Sequence, residues 1–393
     1  MSIRTALGVC LCALAAHAAT AAPYIPANGS DVVERLPRRT DPAQQELQRL
    51  RAQLAANPNN IALATMVARR HIDTARRETD PRYLGYAQAA LAPWWAMPAP
   101  PNEVRLLRAT LLQSTHHFPE AMRDLDAVVA AEPRNGQAWL TRATVQTVRG
   151  EYDAATKSCA RLSNLTSELV SNSCIAGIGA MTGRAAPSAA LLELTLRRNG
   201  DADAGLQSWV LTLLAEIAER RGDAAGAEAH FKRALQLAPR DSYLTGAYAD
   251  YLLDQKRPAD VLKLVKDQTR IDGLLLRHAL ALKQVPGQGA ALRAADAELG
   301  ARFGAAMQRG DTVHQREQAR YELHVRGNAR AALALARQNW AVQKESADMR
   351  VLLEAALQAR DKAAAAPVLD WVAANKVEDV AVQRLARQLK AGA

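Results

Sequence analysis

The chain has 393 residues, 49% of them hydrophobic and only 4% aromatic, with a formal net charge of +10. Its Lys and Arg residues are interspersed with Asp and Glu, without a basic block, so the surface reads as solvated with a modest positive bias and not as a nucleic-acid arm. Beyond the first two dozen residues no apolar run reaches the roughly 18 residues of a membrane span, and no alternating Val/Ile/Thr run reads as a strand.

Residues 1–21 begin with one cation, Arg4, continue through an apolar stretch from Ala6 to Ala16, and end in small residues at Ala19-Thr20-Ala21. That is the order of a secretory signal peptide, with cleavage expected after Ala21 or Ala22. Cys10 and Cys12 sit inside its apolar core, so a lipoprotein signal is not expected. Signal style and an Ala- and Arg-rich composition read as bacterial, which places the mature chain in the periplasm or outside the cell with a charge of +9. Export leaves two cysteines, Cys159 and Cys174, which an oxidising compartment would join as a disulfide.

Residues 22–40, with Pro23, Pro26, Gly29 and Pro37, read as an extended lead-in, and helix is expected after Thr40 or Asp41. In 41–101 a capping helix from Gln44 to Ala56 precedes a degenerate hairpin formed by Ile61 to Arg76 and Tyr83 to Trp94.

From residue 102 onward positions recur at a fixed spacing. Ala109, Ala143 and Gly177 lie 34 residues apart, as do Phe118, Tyr152 and Ala186, and Ala121, Ala155 and Ala189. A period of this length marks a solenoid of helix-turn-helix units, none of which buries its apolar face alone and each of which touches only its neighbours. The small-residue columns let helices approach closely, while Phe118, Tyr152 and Phe231 fill the wider spaces. The third unit contains Gly179 and Gly183 and is expected to be the least regular.

The fourth unit carries Leu214-Ala215, Ala218, Gly222-Asp223, Ala227, Phe231, Ala234 and Pro239, and the second carries the turn Gly150-Glu151-Tyr152-Asp153-Ala154-Ala155. With these motifs the sequence resembles the tetratricopeptide repeat family. Ala224 replaces the turn aromatic in the fourth unit, and Arg184 replaces the turn glycine in the third. The resemblance implies an all-α fold, a right-handed α-solenoid of antiparallel helix hairpins. Its units occupy 102–275, an irregular long repeat 276–312 around Pro286-Gly287-Gln288-Gly289, and further units with a closing helix 313–393.

In that family the first helix of each hairpin lines a concave groove. Here the register would place Glu216, Glu219, Asp250 and Asp254 there, with Trp209 and Tyr243 near the entrance. An acidic stripe on a basic protein would select a positively charged peptide. The Lys/Asn set with which some members clamp a peptide carboxylate is not apparent.

No His-Glu-x-x-His, Cys-x-x-Cys, Gly-x-Ser-x-Gly or phosphate-cradling glycine loop occurs, so no catalytic residues, metal or cofactor are expected. His116-His117 reads as an exposed turn pair. The expected function is a non-enzymatic exported scaffold binding a protein or peptide partner in the cell envelope, without nucleic acid. The alternative is a structural envelope subunit contacting an anionic glycan or the membrane surface, without being integral.

Overall fold

The computed structural model describes residues 28 and 42–391, so the signal segment 1–21 and, Asn28 apart, the lead-in lie outside the described residues. The chain divides into two units, 1–48 and 49–393, and the helix hairpins belong to the second.

Among the described residues all regular structure is helical. After α1 (Pro42–Ala56), which begins in the first unit, come α2 (Ile61–Glu78), α3 (Arg82–Ala90) and a short α4 (Ala92–Trp95). The repeats follow as helix pairs: α5 (Asn102–Ser114) with α6 (Phe118–Ala131), α7 (Gly136–Val148) with α8 (Tyr152–Ala160), α9 (Glu168–Met181) with α10 (Ala185–Arg198), and α11 (Ala204–Arg221) with α12 (Ala224–Leu237). Then come α13 (Ser242–Asp254) with α14 (Pro258–Val265), α15 (Asp272–Gln284) with the long α16 (Gly289–Gln308), α17 (Gln315–His324) with α18 (Ala329–Val342), and α19 (Ser346–Ala359) with α20 (Lys362–Ala374), closed by α21 (Val380–Ala391). The fold is an α-solenoid of antiparallel hairpins. The boundary expected at 275/276 falls inside α15 and separates no structural unit.

Local chemistry sets these helix starts. Asn135, Asp203, Asp223, Asp241, Asn328 and Asp361 each turn a side-chain oxygen onto the backbone N–H three residues on, satisfying a donor the helix leaves free. The small columns are the packing seams: Ala109, Ala121, Ala143, Ala155, Ala215 and Ala227 are all buried, alongside Phe118, Tyr152 and Phe231.

Other expectations need correction as well. The third unit is fully formed, with α9 and α10 each of 14 residues. Gly179 is its contact point and not its weakness, because a Cβ there would collide with Ser188 Oγ. Nor does each hairpin touch only its neighbours.

The C-terminal hairpins return to the turns of the middle ones. Lys344 N donates to Val148 O at 2.8 Å, and Tyr152 Oη donates to Lys344 O at 3.3 Å. Ala185 N donates to Glu378 Oε2 at 2.7 Å, and Val380 lies against Gly222. One apolar core accordingly joins Tyr152, Ala155, Cys159 and Ile178 to Leu323, Trp340, Met349, Leu353 and Val382. Gly150 makes an approach that no other residue would permit: it has φ +76°, and a Cβ there would run into the Trp371 ring. His116 takes part as well. Instead of an exposed turn residue, it is half-buried, stacked on Phe118 at 5.3 Å, with Nδ1 3.1 Å from Gln343 Nε2.

Candidate functional site: a charged inner face

The first helices of successive hairpins, α11, α13, α15, α17 and α19, are linked by their charged side chains along one inner face. Asp250 on α13 accepts from Arg277 Nη2 on α15 at 2.5 Å and from Arg320 Nη2 on α17 at 2.8 Å. Asp254, one turn on, accepts from Arg350 on α19 at 2.5 and 2.7 Å. Arg350 Nε also donates to Glu354 Oε1 at 2.8 Å, and the other oxygen of Glu354 lies 2.8 Å from His324 Nε2. Two of the four carboxylates in the expected acidic stripe are thus already satisfied by the chain's own arginines.

The other two are not. Glu216 has one hydrogen-bond partner, Tyr243 Oη, which donates to it at 2.6 Å. The Glu219 carboxyl has neither an ion pair nor a hydrogen bond among the described residues. The nearest cation on the same helix, Arg220, points elsewhere, donating to Met181 Sδ at 3.1 Å, and its Nε is buried without a partner. Arg316 on α17, which also faces Glu216, is drawn to Glu345 at 2.8 Å and to Asp348 at 3.5 Å.

Electrostatics follow this division. Desolvation would raise the Asp250 carboxyl, but Arg277 and Arg320 outweigh it and hold Asp250 below the usual range. Desolvation likewise works against ionising Glu354, yet His324 and Arg350 bring it down to about 2. With no cation of its own, Glu219 is pushed up to about 8, by desolvation first and then by Asp254, Asp250 and Glu216, with only partial relief from Arg350. Glu216 is raised by desolvation, against Arg220 and the Tyr243 hydrogen bond. The charge of Glu216 and desolvation together hold the Tyr243 phenol well above its usual value.

Water nevertheless reaches this face. Tyr243 is 65% exposed and Trp209, two turns before Glu216 on α11, is 39% exposed. Tyr243 is thus uncovered beside Glu216, its hydrogen-bond partner, and neither Glu216 nor Glu219 has an ion-pair partner among the described residues.

Sequence reasoning missed the arginines. Their signal was the repeat itself, since Arg316 and Arg350, and Arg320 and Glu354, are 34 residues apart, as are Glu216 and Asp250. The period that marked the alanine columns therefore also places these charged side chains at equivalent turns of the first helices.

Away from this face, Cys159 and Cys174 lie at disulfide distance, with S–S 1.95 Å and Cα–Cα 5.6 Å. They join the end of α8, just before a 3-10 turn at Arg161–Asn164, to the middle of α9. Among the described residues no group of three or more His, Cys, Asp or Glu is placed to hold a metal, and no helix is long and apolar enough to cross a membrane.

No family model matches the chain, and no curated protein matches it. Several solved structures align along most of its length. A tetratricopeptide repeat protein from Parabacteroides merdae aligns over 79% of this chain and 99% of its own, at 12% identity and TM-score 0.38. Human IFIT1, solved as a dimer with m7Gppp-AAAA, aligns over 89% of this chain and 87% of its own, at 13% identity and TM-score 0.40. Yeast Tom70 aligns over 89% and 96%, at 10% identity and TM-score 0.24. At these identities and superpositions none of them bears on what this chain binds. The hairpin order, the 34-residue columns and the Gly150–Tyr152 turn make the chain a tetratricopeptide-repeat-like α-solenoid.

Proposed function

We propose that this chain is a non-enzymatic scaffold of the cell envelope that binds an extended segment of a protein partner along the inner face of its first helices. The observation that supports this reading is the exposed Tyr243 hydrogen-bonded to Glu216, with Trp209 exposed two turns earlier on the helix that carries Glu216. Exposed aromatic side chains are where binding energy concentrates at an interface, because they bury much area at small entropic cost. The envelope location rests on the signal-like order of residues 1–21, and N-terminal sequencing of the mature protein from fractionated cells tests it.

The alternative, contact with an anionic glycan or lipid, draws on net charge. Arg277, Arg316, Arg320 and Arg350 contribute to that charge but are engaged with carboxylates of this chain, which weakens that support. A photoreactive phenylalanine analogue placed at Tyr243 tests the scaffold reading in cells. Crosslinking of a discrete protein at this position, and not from the outer-face position Leu194, is expected. Capture only from Leu194 would overturn it.

A further inference from the structure

We infer that His116 is a pH-sensitive latch, which fastens the turn between α5 and α6 to the returning C-terminal hairpins only while its ring is neutral and releases that turn on acidification. The contact joins residues 227 apart in sequence, with His116 Nδ1 3.1 Å from Gln343 Nε2. Which of the two donates is fixed by what stands behind Gln343. The same Nε2 donates to Asn339 Oδ1 at 3.3 Å, and Asn339 Nδ2 donates to Asp348 Oδ1 at 2.7 Å. Gln343, Asn339 and Asp348 are all buried. A carboxylate oxygen only accepts, so Asp348 takes the NH2 of Asn339, whose oxygen then takes the NH2 of Gln343. The amide chain therefore runs in one direction and ends on an imidazole nitrogen that must accept.

Protonation of His116 would set an N–H against that NH2. Turning the Gln343 amide over would restore a partner to the ring but oppose two oxygens, Gln343 Oε1 and Asn339 Oδ1, while Asp348 holds Asn339 in place. The groups around the ring divide. Arg316 on α17 and His314 at its start disfavour a positive charge on His116, and Glu317 and Glu345 favour one. Lys344 is turned away to Trp340 O, and His117 to Thr115 Oγ1 at 3.0 Å. Burial against Phe118 acts most strongly and, with Arg316, holds the ring below its ordinary value of 6.5. The latched state thus binds the proton more weakly than the released state, so the latch is intact above 6.5 and weakens as pH falls below it. Release is confined to this turn, because the neighbouring seam, Lys344 N to Val148 O and Tyr152 Oη to Lys344 O, contains no group that titrates in this range. Arg316 and Glu345 also act on Glu216 and Tyr243, which places the latch at the border of the inner face.

The test follows amide hydrogen exchange by mass spectrometry on the full-length chain at about pH 7.5 and about pH 5, corrected for the intrinsic rate at each pH. In the wild type, segments 112–120 and 339–345 are expected to lose protection by roughly fivefold or more at the lower pH, while α9 keeps its own. His116→Asn retains an acceptor oxygen near the place of Nδ1, tolerates the left-handed backbone at φ +60° and does not titrate, so both segments should stay protected at both pH values. His117→Asn should respond as the wild type does. Circular dichroism confirms that each variant is folded. Burial pushes Asp348 up to about 6, and a protonated Asp348 would let the amide chain reverse. An acid response that persists in His116→Asn would assign it to Asp348 and overturn the latch, as would unchanged protection in the wild type. Independently of any variant, the His116 ring titrated by NMR in the wild type should show a midpoint below 6.5, and a midpoint at or above that value would equally overturn it.

Discussion

Arg350 grips Asp254 with both terminal nitrogens, at 2.5 and 2.7 Å, across 96 residues of sequence. The pair fastens the α19/α20 hairpin to the α13/α14 hairpin, and both side chains keep about a third of their surface in water.

That partial exposure sets the size of the effect expected on breaking it. A double-mutant cycle of Asp254→Asn and Arg350→Gln should give a coupling of about 1–2 kcal/mol in urea denaturation, below the 3–5 kcal/mol typical of a fully buried pair. A coupling near zero would mean that the C-terminal hairpins are held by their apolar core alone.

Gly150 and Gly177 provide a contrast between two glycines. At Gly150 the backbone has φ +76° and Trp371 fills the space a Cβ would need, whereas at Gly177, inside α9, nothing lies within 4 Å. Gly150→Ala should therefore cost roughly 2–4 kcal/mol, combining left-handed strain with overpacking. Gly177→Ala should instead stabilise by up to about 1 kcal/mol through helix propensity. Chemical denaturation of the two variants checks both signs.

Cys159 and Cys174 enclose a short loop that carries the end of α8 and the 3-10 turn. Non-reducing peptide mapping of exported protein should recover the two as one linked pair. Reduction, or the Cys159→Ser/Cys174→Ser variant, should then lower stability by roughly 3 kcal/mol in the loop-entropy account. Recovery of two free thiols from exported material would remove the basis for this expectation.

Glu219 makes stability depend on pH. Desolvation, and then Asp254, Asp250 and Glu216, push its carboxyl up to about 8 in the folded chain, above the 4.5 usual for a glutamate, with Arg350 opposing them. Between those two values the folded state holds a proton that the unfolded state has released, so this group's contribution falls as pH rises from about 4.5 to about 8. Glu219→Gln should accordingly leave the melting temperature near the wild-type value at pH 4.5 and raise it at pH 9. Equal shifts at both pH values would show that Glu219 titrates normally.

The hairpins and their order were legible because alanine columns and turn motifs report contacts between adjacent units, and those contacts are local in sequence. The groove carboxylates were legible for the same reason, since the register of α11 and α13 fixes which side faces inward. What pairs with them was not, because Asp250–Arg320 and Asp254–Arg350 depend on how far the stack turns over several hairpins. That turning is the sum of small packing angles that no single repeat encodes. Gly179 misled for another reason: its low helix propensity is a property of the residue, while its value here lies in the Ser188 hydroxyl that it admits.

The return of Trp371 to Gly150 gives this array a number. A linear solenoid tolerates gain or loss of a repeat by duplication, since each interface is the same as the last. Here a unit inserted between α13 and α17 would carry Arg320 past Asp250 and Trp371 past Gly150, so every returning contact would fail together. Descendants of this chain should therefore vary in loop length and surface sequence while keeping the count of hairpins between those two points constant, as a closed ring keeps its number of subunits.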